Sequence, residues 1–198
     1  MTLTPNHLWQ TARLTLADPR AAARRVIAWP LTRGERWTVL AFTATASTLA
    51  AEVFVMLSPP VTDPAMATIL ASPLLFAAMQ FAGIALMAVL MRTVGGRFGG
   101  VGTFDGALAV VGWMQVILLA LQVVQVLALA LLPPLVGIIA LVSLGVTLWV
   151  MPNMIAELHG FRSAFLTLLG MVGTLFALVL SLSVLLLLVF GVEGLGNV

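Results

Sequence analysis

The chain has no cysteine. That excludes a disulfide, a thiolate zinc site and a cysteine nucleophile together. It has no lysine either, since its nine basic residues are all arginines: Arg13, Arg20, Arg24, Arg25, Arg33, Arg36, Arg92, Arg97 and Arg162. Charge of either sign is scarce, at 8% of 198 residues, where a soluble domain carries about a quarter. With 62% hydrophobic residues and a mean hydropathy of +1.16, a water-soluble fold could not hide its apolar surface, so the solvent must be largely lipid. Nucleic acid is excluded as a partner, because the net charge of +2 sits beside apolar spans and not on a soluble basic face. The start of the chain does not read as a signal peptide: arginines interrupt the stretch from Leu14 to Trp29, and no small-residue cleavage site follows a short apolar core. An arginine-only composition rich in Ala, Leu, Val and Gly fits a GC-rich bacterial genome.

What is present is a series of long apolar runs. Residues 1–35 are the only sizeable polar segment. In it, Asp18-Pro19 reads as an N-cap followed by proline in the first turn. The helix it opens carries Ala22, Ala23, Val26 and Ile27 on one face and Arg20 and Arg24 on the other. Leu8, Trp9, Ala12 and Leu16 make a weaker stripe just before. Such a basic amphipathic segment either lies in the headgroup plane or folds under the bundle. Thr32 to Glu35 has capping-box spacing and opens the first span. Five spans follow, at about 36–57, 68–91, 104–132, 135–157 and 161–190, separated by proline and glycine breaks, with a short tail over 192–198. Each exceeds the roughly 20 residues needed to cross the hydrocarbon core. None shows the two-residue alternation of a membrane barrel. The expected fold is therefore all-α, a polytopic bundle of five transmembrane helices (36–191) with a short cytoplasmic N-terminal helical region.

The arginines set the threading. Six precede span one, Arg92 and Arg97 lie between spans two and three, and Arg162 lies between spans four and five. The alternate loops have none. Five crossings put every arginine on one side, which by the positive-inside rule makes the N-terminus cytoplasmic and the C-terminus outside a cell inner (plasma) membrane.

The stretch from Arg92 to Gln125 carries a resemblance. Gly99-Gly100-Val101-Gly102-Thr103-Phe104-Asp105-Gly106-Ala107-Leu108, continuing to Gly112-Trp113, resembles the loop and third span of bacterial members of the Yip-one (Ypt-interacting protein) domain family. Glu157-Leu158-His159-Gly160-Phe161 is similar to a second turn of that family, and the likeness covers roughly residues 35–190. It implies a five-helix membrane bundle with a cytoplasmic N-terminus. Eukaryotic members bind prenylated Rab GTPases through an N-terminal motif that includes tyrosine. This chain has no tyrosine, so that role is not carried over.

Two groups of polar residues stand out. Glu52, Gln80, Gln115, Gln122 and Gln125 lie at membrane depth, with the three span-three glutamines within about 80° of one face. A carboxylate in lipid normally faces the bundle interior with a partner, so Glu52 is expected to pack toward Gln122 and Gln125. The seam reads first as interhelical hydrogen bonding and second as a path for a proton or small solute. Arg92, Arg97, Asp105, Asn153, Glu157, His159 and Arg162 gather at the cytoplasmic rim, as salt bridges and caps or as a docking site for a partner or lipid phosphates. The Gly95–Gly106 run is expected to be a tight turn. It follows no strand and lacks the P-loop Lys-Ser/Thr, so no nucleotide is expected. Gly137, Gly145, Gly170 and Gly173 read as close helix packing. No catalytic constellation, metal set or cofactor motif is present. The leading reading is a non-enzymatic membrane protein that organises or docks partners, or affects bilayer shape. Its partners are the lipid bilayer and other membrane proteins or further copies of itself. The alternative is a conduit along the seam.

Overall fold

The computed structural model describes residues 4–58 and 72–195. Two short helices come first. α1 (Pro5–Ala17) is capped by Thr4, and α2 (Pro19–Ile27) by Asp18, whose carboxylate accepts the Ala21 N–H. Each has proline in its first turn, where a missing N–H leaves no helical bond unmade. Five long helices follow: α3 (Arg33–Leu57), α4 (Pro73–Arg97), α5 (Phe104–Leu131), α6 (Val136–His159) after a 3-10 turn at Pro133–Leu135, and α7 (Ala164–Leu195). All five are long and apolar enough to cross a membrane, so the chain is a multi-pass, all-α membrane protein.

The helix ends differ from the expected spans for local reasons. α3 starts at Arg33, ahead of Arg36, because Thr32 and Glu35 close a full capping box. α4 does not end at Met91. Gly95 and Gly96 stay helical, and the chain turns only after Arg97, with Gly99 in the left-handed region at φ 82°. The run from Gly95 is thus half helix, half turn. α6 runs on to His159 and is closed by Gly160 at φ 74°, a conformation that favours glycine. Residues 192–195 belong to α7 and not to a tail. The expected start of span two at 68–71, the loop 59–64 and the end of the tail at 196–198 lie outside the described residues.

The packed core sits at the arginine-bearing end. α5 is buried on every side from Gly106 to Met114, the pattern of a central helix. It packs against α2, α3, α4 and α6. Val150, Met154 and Leu158 of α6 and Leu40 and Ala44 of α3 complete that core. At Gly112 a side chain would press on Leu40, so α3 and α5 cross closely there. Toward the other end the helices are uncovered: Leu131 is 75% exposed and Leu188 78%. Such surface is ordinary only where the surroundings are hydrocarbon.

α2 folds under the bundle, with Ala22, Ala23 and Val26 fully buried. α1 is seated mainly by a face other than its apolar stripe, of which Ala12 alone packs against the core. Thr11 and Thr15 point inward, while Leu8, Trp9 and Leu16 are exposed. The threonine hydroxyls donate to carbonyls one turn back, and the Trp113 indole N–H donates to Thr15 Oγ1 at 2.8 Å. Threonine is tolerated inside because every hydroxyl has a partner. Close packing at Gly137, Gly145, Gly170 and Gly173 is not what the fold shows. A Cβ built on any of them meets nothing within 4 Å.

Candidate functional site

The glycine run and the α6–α7 turn form one unit. His159 is 2% exposed, and the space its ring occupies exists only because its neighbours lack side chains. A Cβ on Gly95 or Gly100 would overlap the imidazole, and one on Gly102 would stand 3.0 Å from its Nε2. Leu158 fills the adjoining space, 2.6 Å from where a Gly106 side chain would begin. The backbone seals the joint: the Val101 N–H donates to the His159 carbonyl at 3.2 Å, and Phe161 stacks on the imidazole with ring centres 5.3 Å apart. The glycines are therefore a socket, and Leu158-His159 is its plug.

The His159 ring has a defined polarity. Nδ1 lies 3.1 Å from the Ile155 carbonyl. A carbonyl can only accept, so Nδ1 is the donor in this contact. Nε2 is buried and has no hydrogen-bond partner among the described residues.

Arginines bind this joint to the N-terminal helices. Arg24 pairs with Glu157 at 2.9 Å, and Arg20 approaches the same carboxylate at 3.9 Å. The hydrogen bond and charge of Glu157 hold the Arg24 guanidinium above its ordinary pKa. Arg20 also donates to the Phe161 and Arg162 carbonyls at 3.1 and 3.0 Å. On the other side, Arg33 grips Asp105 through two bonds of 2.7 and 2.9 Å. Arg36, 7% exposed, donates to the carbonyls of Ile27, Trp29, Leu31 and Asp105. A guanidinium suits this task because its five N–H groups fan out in a plane. Together with the socket at the end of α4, these contacts hold the starts of α3, α5 and α7 and the end of α6 at one end of the bundle.

Of the rim residues singled out from sequence, Asp105, Glu157 and His159 are thus built into the joint. Asn153 donates to the Trp149 carbonyl of its own helix. Arg92, Arg97 and Arg162 are exposed. Arg20, Arg24, Arg33 and Arg36 were the partners missing from that set. The glycines' common target was missing too. The one available signal was that both glycine-bearing turns fall on the arginine side.

The intramembrane residues do not join into one hydrogen-bonded line. The Gln122 side chain donates to the Ser47 carbonyl of α3, and the Gln125 side chain to Ser143 Oγ of α6, each at 3.0 Å. Glu52 Oε1 is buried and has no hydrogen-bond partner among the described residues. Gln80 and Gln115 are half-buried on α4 and α5. The described bonds from α5 run outward to two different helices, which is how single polar groups tie membrane helices together.

A bundle of five membrane-crossing helices, knit at one end by arginine and by a histidine set among glycines, defines a polytopic helical membrane protein. The chain belongs to the Yip1 domain family, whose family model matches residues 13–192. The match begins well before residue 35, so α2 and its arginines are part of the domain and not an appendage. No curated protein and no solved structure matches the chain.

Proposed function

We propose that the protein is a non-enzymatic organiser that docks other membrane proteins within the plane of a bacterial inner membrane, its N-terminus cytoplasmic and its C-terminus outside. One observation carries this reading. The apolar stretch of α7 from Ala164 to Leu185 has no buried residue in its most hydrophobic window, so most of that span is offered to neighbours in the bilayer. The other end of the molecule supports it. The rim is held rigid by the socket and its arginine ties, while the polar mass beyond the membrane is two short helices. A rigid collar with an uncovered span suits a protein that gathers others. Exposed Leu8, Trp9 and Leu16 on α1 add contact with the headgroup layer and hence an influence on bilayer shape. The test is a pull-down of the full chain from its native membrane in mild detergent, with identification of co-purifying proteins. A reproducible stoichiometric membrane partner, or a discrete homo-oligomer, is expected. No such partner, together with solute flux in liposomes that Glu52→Gln abolishes, would overturn it in favour of a conduit.

A further inference from the structure

A groove of about 910 Å³ runs between α4, α6 and α7. Its walls at membrane depth are apolar, with Leu90 on α4, Met151 on α6 and Leu175 on α7. Gly83 and Gly170 also line it, from the α4 and α7 sides, and a Cβ built on either meets nothing within 4 Å. The chain's own side chains leave this space open. The lining hydroxyls do not make it polar, since Thr167 and Thr174 donate to carbonyls of their own helix. At the arginine-bearing end the groove is lined by Arg162 and Ser163. Arg162 is the one charged residue of the described lining. None of the described ion pairs involves it. Its backbone is held in place by the bond from Arg20 to its carbonyl.

We infer that this groove binds one phospholipid with an anionic headgroup, an acyl chain lying along the apolar walls and the phosphate against Arg162. An empty trough would forfeit the dispersion contacts of its walls. Its volume lies within the roughly 300–1,000 Å³ of pockets that bury a small ligand. Charge selects the occupant. A guanidinium at the mouth of an otherwise apolar groove matches a phosphate by its two-pronged geometry. On the arginine-bearing side Asp105 and Glu157 are held by Arg33 and Arg24, and Asp18 and Glu35 cap the starts of their own helices, so the acids there are engaged within the chain.

The test is native mass spectrometry of the full chain in mild detergent, titrated with phosphatidylglycerol or phosphatidylcholine. The wild type is expected to retain one phosphatidylglycerol, favoured over phosphatidylcholine by about fivefold, the preference one juxtamembrane arginine supplies. Gly170→Phe is expected to fill the groove and lose retention of both lipids by about tenfold or more, a bulk effect of the kind that blocks a pocket. Gly173→Phe places the same ring on the same helix outside the lining and is expected to retain lipid as the wild type does. Gly83→Phe repeats the test from the opposite wall, in case Gly170→Phe does not fold. Arg162→Gln is expected to keep the lipid but lose the headgroup preference. Wild-type retention by both groove-filling variants would overturn the site. An unchanged preference in Arg162→Gln would overturn the role of the guanidinium. A dimer that Gly170→Phe dissolves would give the groove to a second copy and sink the proposal.

Discussion

His159 occupies space that any side chain on Gly95 or Gly100 would claim, so its position depends on residues defined by what they lack. Gly95→Ala forces overlap with a ring that cannot retreat, because Phe161 stacks on it and Ile155 holds its Nδ1. Overpacking of this sort costs about 1–3 kcal/mol. A lowered melting temperature in mild detergent, read by size-exclusion after heating, is the expected outcome. The contact also predicts non-additivity. His159→Ala in the same background should recover part of the loss, since the two changes share one space. Strict additivity of the two variants would remove the socket. The arginines sort by burial in the same way. Arg33→Ala breaks an ion pair whose side chains are 62% and 45% exposed, and solvent screens most of what such a pair contributes. Arg36→Met strands several carbonyls that it now caps, each costing about 1–3 kcal/mol when buried without a donor. The second variant should therefore melt well below the first. Arg36→Lys should recover little, because an ammonium lacks the planar fan of donors. Equal melting of Arg33→Ala and Arg36→Met would contradict the capping role.

Elements were legible where the signal was local. The Thr32–Glu35 box, the Asp18 cap and the proline breaks are short-range chemistry, and the helices begin near where they say. What stayed hidden needed a neighbour in space. Gly95 and Gly96 read as turn residues, but they remain helical because His159 and not solvent lies against Gly95. Gly137, Gly145, Gly170 and Gly173 read as packing residues, yet a Cβ on any of them meets nothing within 4 Å among the described residues. α1 shows the same gap between pattern and placement. Its stripe of Leu8, Trp9 and Leu16 is real as a face, but periodicity does not say what that face meets. The buried Thr11 and Thr15 seat the helix instead, with Trp113 bonded to Thr15. On the function proposed above the stripe meets the headgroup layer, and this is testable directly because the chain has no native thiol to remove. Single cysteines at Leu8 and Leu16 should react severalfold more slowly with a membrane-impermeant maleimide than cysteines at Asn6 and Ala17. Detergent should abolish the difference. Uniform labelling around the helix would place α1 in water.

At the scale of the molecule, compactness and charge share one end. Polar bonding, buried side chains and arginines converge where the chain meets the membrane surface, and the helices bare their sides toward the other end. Burial of apolar surface gives little association between helices in lipid, since tails are as apolar as leucine. Packing there is held by hydrogen bonds and close fit. The rim supplies both, through its guanidinium caps and its glycine socket. Toward the other end the described ties are isolated ones, such as Gln125 to Ser143. This architecture needs its arginine end fixed to one side, and an odd number of crossings with every arginine before or between alternate spans does so. The arrangement predicts the sidedness of each turn. A cysteine at Leu132 or Leu135, beside the 3-10 turn, should label with an impermeant maleimide in cells whose inner membrane is intact and reachable from outside. A cysteine at Arg97 or Arg162 should label only once that membrane is opened. Labelling of all four from the same side would mean that the chain does not cross between α5 and α7 as its charges direct. The rim would then no longer be a single cytoplasmic surface on which a partner could dock.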